Sequence, residues 1–332
     1  DPIESWYVSN DPRAKDSEGN SLFAPNVING RSEFIYVSRS SVNSAMMNTG
    51  EFAKPIQTYS IYGLTGGANS KKNNISEKTS ALKLYEDARK AEFDFLFNVE
   101  AIDTFNGRQR FASHQNEIAR IVGDRKTEIA LVQVTSKEAR TIRRKISEAK
   151  QFSFKNASYV AQYAGYDKYY SSSLSSWVYL PKSVAGAVVM GNVFRYHYVW
   201  NAPAGIVRGT IDYTRGQLGG HLSDDEIGQL YDINVNTSRN TSAYGESLHG
   251  QKTALKKNSV LNRINVRNLV NYIKKETKNI TDPFVFSDGT ENNYSALQNI
   301  IFSFLGRIES AGGLRYKNVK VIEDPKEENT II

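Results

Sequence analysis

His114, His197, His221 and His249 are the chain's whole supply of imidazole, and it has no cysteine. An imidazole metal site needs ligands at a helical spacing such as i and i+4, and a nucleophilic site needs a hydroxyl or thiol beside a base. None of the four histidines stands in a His-x-x-x-His spacing or beside a serine elbow, so each reads as an ordinary polar or half-buried residue. Ser223-Asp-Asp-Glu226 offers three carboxylates that could hold a divalent ion. The same order is also a helix start, with serine as N-cap and acids in the first turn where the helix dipole favours them, and that reading is preferred. Gly63-Leu-Thr-Gly-Gly-Ala-Asn-Ser-Lys-Lys has the composition of a phosphate-binding loop, but Ala68 stands five residues after Gly63 and no Gly-Lys-Ser/Thr occurs. The sequence therefore predicts no catalytic set, no metal and no cofactor. One unusual stretch is left: Tyr198-Val-Trp-Asn-Ala-Pro-Ala-Gly-Ile-Val-Arg-Gly209, an aromatic anchor followed by a Pro203 and Gly205 turn.

The elements that must position these residues are bounded first by composition. At 332 residues and 39% hydrophobic content, the chain has enough apolar side chains for a sizeable core. The lack of cysteine excludes disulfides and thiolate chemistry and fits synthesis in a reducing cytoplasm. No apolar run reaches the ~20 residues that span a bilayer, and no signal peptide is present, so membrane insertion is not expected. The chain begins at Asp1 and reads as a fragment or processed product. Its net charge of +7 is diluted by acids throughout, which gives a mildly basic surface and does not predict nucleic-acid binding.

Residues 1–62 carry short aromatic runs such as Phe34–Val37 and Ile56–Ile61 and read as a β-rich peripheral region. From 63 to 200 the period alternates between helix and strand. Helices are predicted over Ser76–Ala91, around Ile118, Ile121 and Val122, and from Ser136 with an Ala139, Ile142, Ile146 and Ala149 stripe. Strands are predicted at Phe93–Val99, Ile129–Val134, Tyr159–Tyr163 and Ser176–Leu180, with Pro181 opening a small-residue helix. This alternation predicts an α/β fold with a mainly parallel sheet flanked by helices. Residues 201–332 form a third region, packed with that core. Asn265 is expected to cap a helix with Val266, Leu269, Val270 and Ile273 on one face. A last helix keeps Leu297, Ile300, Ile301, Phe304, Leu305 and Ile308 together until Gly312-Gly313 ends it, and Val319–Ile322 reads as a closing strand.

At the Pro-Gly turn the order of motifs becomes recognisable. Trp200-Asn-Ala-Pro-Ala-Gly205 with Arg208-Gly209 resembles the segment that opens the shared C-terminal domain of contractile tail sheath proteins, found in myovirus-type phages and, more distantly, in R-type bacteriocins and type VI secretion systems. The likeness continues in Leu230–Asn234, which looks like a strand of the family with Asp232 in place of its glycine, and in Tyr244-Gly245. It includes Gly250-Gln-Lys-Thr253, with lysine for the commoner arginine, and Ile264-Asn-Val-Arg-Asn-Leu269. Val285-Phe286 resembles a Val-Phe strand of the family but is followed by Ser-Asp-Gly in place of Glu-Pro-Asn. Gly312-Gly-Leu314 and Val321–Thr330, which holds Asp324 and Asn329-Thr330, complete the likeness. Upstream, Leu180-Pro-Lys-Ser-Val-Ala-Gly186 resembles the family's Pro-x-Ser-x-Ala-Gly step. The resemblance covers about residues 64–330 and is specific after residue 177.

It implies a structural subunit, not an enzyme. Such a subunit polymerises around a tail tube and contracts to drive the tube through a host envelope, delivering the genome. The implied partners are copies of itself, the tube protein, and baseplate and terminator proteins, in the virion tail after assembly in host cytoplasm. The family's N-terminal arm and last C-terminal strand, which add strands to neighbouring subunits, have no counterpart here, so a monomer is expected. Trp200, Pro203 and Gly205 then form a structural turn. Lys252, Lys256, Lys257, Arg263, Arg267, Lys274 and Lys275 are candidates to face an acidic tube, with Arg267, Asn268, Asn271, Lys274 and Lys275 pointing away from the helix's apolar face. An α/β hydrolase or nucleotide-binding enzyme, and a host-binding adhesin using residues 1–60, are the competing readings.

Overall fold

An unbroken apolar run belongs to an element covered on both sides, and Ile129–Gln133 (β2) is buried at every position. A computed structural model describes residues 4–9, 11–32, 34–37, 75–99 and 108–322 of the chain. These fall into two compact units, within residues 1–70 and 71–332.

In the first unit, Pro25 lies in the first turn of Ala24–Asn29 (α1), where its missing N–H costs nothing. Two isolated bridges, Ser9 with Phe23 and Lys15 with Ser21, hold the chain before it. Asp16 closes the turn between the second pair by accepting the N–H groups of Glu18 and Asn20 at 2.9 and 2.8 Å. Phe34–Val37 makes no ladder; Asn29 holds its end by bonding both the N–H and the C=O of Val37. Ile56–Ile61 and the Gly63 loop lie outside the described residues.

The second unit runs Ile75–Ala81 (α2), Phe95–Phe97 (β1), Arg108–Arg125 (α3), β2, Ile142–Ala149 (α4), Val160–Tyr163 (β3), Tyr166–Ser171 (β4) and Ser176–Pro181 (β5). It continues through Lys182–Tyr196 (α5), Gly205–Arg208 (α6), Asp224–Asp232 (α7), Val235–Thr241 (β6), Gly245–His249 (β7), Ile264–Thr281 (α8) and Glu291–Ser310 (α9). The main sheet has the order β1-β2-β3-β6-β7, parallel except for the β6–β7 hairpin. The structure is a mixed α/β fold with a mostly parallel sheet flanked by helices. Ala130 and Val132 of β2 pack with Ile118, Ile121 and Val122 of α3, while Ile129 and Leu131 pack with Ala185, Val189 and Met190 of α5. Period-two alternation thus builds two cores from one strand. Leu248 and Ile264 join the α5 core, so elements on both sides of residue 200 share it. A third cluster forms where α8 and α9 meet through Leu269, Phe304 and Ile308.

Several elements differ from expectation. The helix from residue 75 stops as a 3₁₀ turn at Leu82–Tyr85, and Asp87 then takes the N–H of Arg89 at 3.0 Å, a local bond that competes with helix. The third helix begins at Ile142, not Ser136, because the Glu148 carboxylate reaches back to the Ser136 N–H and hydroxyl at 2.7 and 3.0 Å. Ser176–Pro181 leaves the main sheet and pairs antiparallel with β4, which the sequence reading missed. Helix α7 extends through Leu230, whose burial holds the turn, so the strand expected at 230–234 begins at Val235. Val285-Phe286 follows a 3₁₀ turn, with Phe286 exposed at φ 70°, and is no strand. Val319–Ile322 has no strand partner among the described residues.

Candidate functional site

The Pro-Gly turn is built as a joint. Pro203 is buried, and Gly205 opens α6 at φ +82°, a conformation an L side chain rarely adopts. Trp200 stacks on Tyr198 with ring centroids 4.7 Å apart and leans on Tyr272 of α8 at 6.2 Å. Gly313, just past α9, lets the indole in close: a Cβ there would lie 2.9 Å from Trp200 Cε2. Asn265 is not the cap of α8, which starts after Arg263; its amide instead bonds the Trp200 carbonyl at 3.2 Å. The joint thereby fixes the end of α5 against α8 and α9.

From α6 the chain laces two sheets together. Leu248 donates to the Gly209 carbonyl at 2.7 Å and Ile211 to that of Glu246 at 2.9 Å, along the outer edge of β7. A few residues on, Lys168 donates to Gly216 and Leu218 to Tyr166, along β4. Where the two sheets meet lies a buried polar cluster that the sequence reading missed. Lys182, at the start of α5, and Asp167 of β4 are wholly inaccessible, and Glu246 of β7 is nearly so. Lys182 Nζ is hydrogen-bonded to Asp167, to Ser238 Oγ at 2.6 Å and to Glu246 Oε1 at 2.8 Å. Gln217 adds bonds to Ser238 Oγ at 2.8 Å and Glu246 Oε1 at 2.7 Å. Burial pushes the Asp167 carboxyl up to about 6, against the pull of Lys182 and with help from Glu246. Burial acts on Glu246 in the same direction, but Lys182 and the Ser238 and Gln217 bonds outweigh it and hold that carboxyl below its ordinary value. Amine and carboxylates are sealed from solvent, so the set can act as a clamp or on itself but cannot meet an external substrate.

Among the described residues no group of three or more His, Asp or Glu is placed to hold a metal ion. Ser223 and Glu226 form a reciprocal capping box, with bonds of 3.3 and 2.9 Å. His114 is buried in α3 with Nδ1 3.0 Å from the Thr79 hydroxyl.

The basic residues are placed differently from expectation. Arg267, Asn268 and Asn271 do not point outward; all three are buried, because this face of α8 closes the end of the main sheet. Arg267 bonds the Ser158 carbonyl and hydroxyl at 3.2 and 2.8 Å and lies over the Tyr159 ring. Lys274 reaches the Tyr159 hydroxyl at 3.0 Å, and Lys275 bonds Phe93 O and Asp94 Oδ1, both at 2.9 Å. Lys252 bonds the Tyr231 carbonyl at 2.9 Å over its ring, and Arg263 bonds the Tyr231 hydroxyl. Lys256 and Lys257 are exposed on the loop before α8.

No protein-family model matches the chain. Over 149 residues it is 31% identical with the tail sheath protein of Vibrio phage KVP40, a stretch of 45% of this chain and 22% of that protein. The PVC sheath of an extracellular contractile injection system, in its contracted state, superposes with a TM-score of 0.59 at 18% identity, over 76% of this chain and 69% of that one. The contracted helical sheath of the anti-feeding prophage gives 0.58 at 17% identity, over 80% and 70%. The chain has the fold of contractile sheath proteins. The sheath tail protein of Listeria innocua shares that fold at a TM-score of 0.51 and 10% identity, over 74% of this chain and 53% of that protein. The resemblance to contractile tail sheath proteins is therefore carried by sequence and fold together. In this sheath fold the Trp200 joint and the Lys182 cluster lie at the two ends of one connecting segment.

Proposed function

We propose that this chain is the body of a contractile phage tail sheath subunit, which polymerises around the tail tube and contracts to drive the tube through the host envelope. The observation that carries the reading is one fold shared over three quarters or more of the chain with two sheaths solved in the contracted state. The sequence match to a phage tail sheath protein supports the phage reading. Contraction of a polymer requires stiff bodies that move against each other at interfaces. Two cores on one sheet, the Trp200 joint and the buried cluster supply that stiffness. β1 and β5 each keep one edge without a strand partner among the described residues, and such edges take strands from neighbouring copies. The role is structural rather than enzymatic, consistent with a lysine–carboxylate set that no substrate can reach. Residues 201–332 act as the shared sheath domain, and residues 1–62 as a peripheral addition.

The partners are further copies, the tail tube protein, and baseplate and terminator proteins, with no nucleic acid and no membrane insertion. The place of action is the virion tail, after assembly in the host cytoplasm. Of the seven basic residues read as tube-facing, Lys256 and Lys257 are the pair that charge reversal tests cleanly, since Lys252, Arg263, Arg267, Lys274 and Lys275 hold the fold together. Electron microscopy of the full-length protein expressed with its tube protein is expected to show tubular polymers, and Lys256→Glu with Lys257→Glu is expected to reduce sheathed tubes. Absence of any polymer overturns the sheath reading, and unchanged sheathing by the double variant overturns the tube contact alone.

A further inference from the structure

A lysine sealed from solvent with a single carboxylate is an ion pair; Lys182 is sealed with two. Its Nζ touches Asp167, and Glu246 Oε1 lies 2.8 Å away on the same amine. Two carboxylates and one ammonium leave either a net negative charge in the interior or one extra proton, and burial favours the proton. The two acids divide as that requires. Burial, with Glu246 alongside, pushes Asp167 up to about 6, whereas Lys182 and two hydrogen bonds hold the Glu246 carboxyl below its ordinary value. One oxygen of each, Asp167 Oδ2 and Glu246 Oε2, is buried without a hydrogen-bond partner. An ammonium, a carboxyl group that holds its proton more tightly than usual and a carboxylate base thus meet in one dry site.

We propose that Lys182 and Asp167 condense after folding into an intramolecular amide, with Glu246 moving the protons. Glu246 takes a proton from the Lys182 ammonium. The freed amine attacks Cγ of protonated Asp167 and the Nζ–Cγ bond forms. A second Nζ proton passes through Glu246 to the departing hydroxyl, the Cγ–O bond breaks, and water leaves. One proton remains on Glu246. No oxidant, reductant or co-reactant is consumed. In water this condensation is unfavourable; here a buried contact replaces a bimolecular encounter, which in a near-attack geometry is equivalent to an effective molarity on the order of 10⁵ M or more, and the product water leaves a dry site. Ser238 Oγ and Gln217 Nε2, at 2.5 and 2.7 Å from Glu246 Oε1, hold the base in position. The bond would join residues 15 positions apart, the start of β4 and the first residue of α5, closing the β4–β5 hairpin into a covalent ring.

Intact-mass spectrometry of the denatured 332-residue chain tests this. The expected mass is one water below that of the sequence, and tryptic mapping is expected to give a branched peptide joining Lys182 to Asp167, with no cleavage after Lys182. The full sequence mass in folded protein, with ordinary cleavage at Lys182, overturns the proposal. A water deficit that maps instead to a cyclic imide at Asp288-Gly289 overturns it equally. Glu246→Gln, in protein whose circular dichroism matches wild type, is expected to restore the full mass, and a link that persists there refutes the proton-moving role of Glu246. Should that variant fail to fold, the wild-type mass and peptide map still decide whether the bond exists.

Discussion

Helix α5 contains two glycines whose replacement by alanine separates close packing from helix propensity. A Cβ on Gly186 would lie 2.6 Å from Tyr163 Cζ and 2.9 Å from its hydroxyl oxygen, whereas a Cβ on Gly191 would meet only Phe95 Cζ, at 3.9 Å. Carbon atoms in comfortable contact sit about 3.5–4.0 Å apart, so Gly186→Ala overlaps by roughly 1 Å while Gly191→Ala makes an ordinary contact. Tyr163 is 1% exposed on the strand face that α5 covers, so its ring cannot swing into solvent. Helix or ring must shift instead, and such overpacking costs about 1–3 kcal/mol. Gly191→Ala carries only the propensity gain of alanine in a helix interior, about 0.5–1 kcal/mol. The same chemical change, five residues apart in one helix, therefore has opposite signs. Urea unfolding followed by circular dichroism is expected to lower the midpoint for Gly186→Ala and raise it slightly for Gly191→Ala, separating the two by about 0.5–1 M at equal slope. Equal midpoints, or Gly186→Ala above wild type, would show that α5 does not lie on the sheet as described.

Trp200→Ala empties the space above Gly313 and beside Tyr272; because the indole is half-buried, the loss of stability is expected at about 2–3 kcal/mol, below the 3–5 of a fully buried ring, read as a drop in thermal midpoint. Ser223→Ala removes one half of the capping box on α7 and is expected to cost about 1 kcal/mol in the same measurement, whereas a metal-ligand role for this stretch would instead give a divalent-ion dependence of the wild-type midpoint. His114 is held below its ordinary 6.5, burial first and Lys78 second. Below that value the unfolded chain takes up a proton that the folded chain resists, so this stabilisation is full above 6.5 and falls as pH drops. His114→Gln is expected to flatten that part of the stability-versus-pH curve, and an unchanged slope would remove His114 from it.

The parts of the fold that were legible are those where one side-chain pattern has one solution. Ile129–Gln133 had to be a strand covered on both faces. Leu297, Phe304 and Ile308 had to share a helix face, and Gly312 at φ 77° ends that helix in the left-handed conformation expected of it. What failed were places where a single polar side chain overrides the pattern. Glu148 ties Ser136 into a turn, Asp87 stops a helix, and Tyr-Asp-Lys-Tyr-Tyr-Ser at 166–171 becomes a strand although it lacks polar–apolar alternation. The outward face of α8 was misread for a related reason. Arginine and lysine stems cover apolar surface while their charged ends find carbonyls and ring faces, so the position of Arg267 on a helical wheel does not reveal its burial against Ser158 and Tyr159.

The buried cluster was illegible for a deeper reason. Its members come from β4, α5, the 205–220 connection, β6 and β7, and no spacing links Asp167, Lys182, Gln217, Ser238 and Glu246. The one available signal was Lys182 itself, a charge set at the head of a small-residue run that otherwise reads as a wholly buried helix. A lysine cannot go there unpaired, so its presence required carboxylate partners from elsewhere in the chain, although not which ones. On the sheath function proposed above, the same requirement makes the cluster a poor place for drift during contraction. Separating β4 from β7 by even one hydrogen-bond length would leave buried polar groups of this cluster without partners, a penalty larger than the loss of a surface contact. The hairpin and the main sheet therefore move as one piece, and in a contracting sheath of the proposed kind rearrangement falls to surfaces that carry no such penalty, the exposed edges and the interfaces between copies.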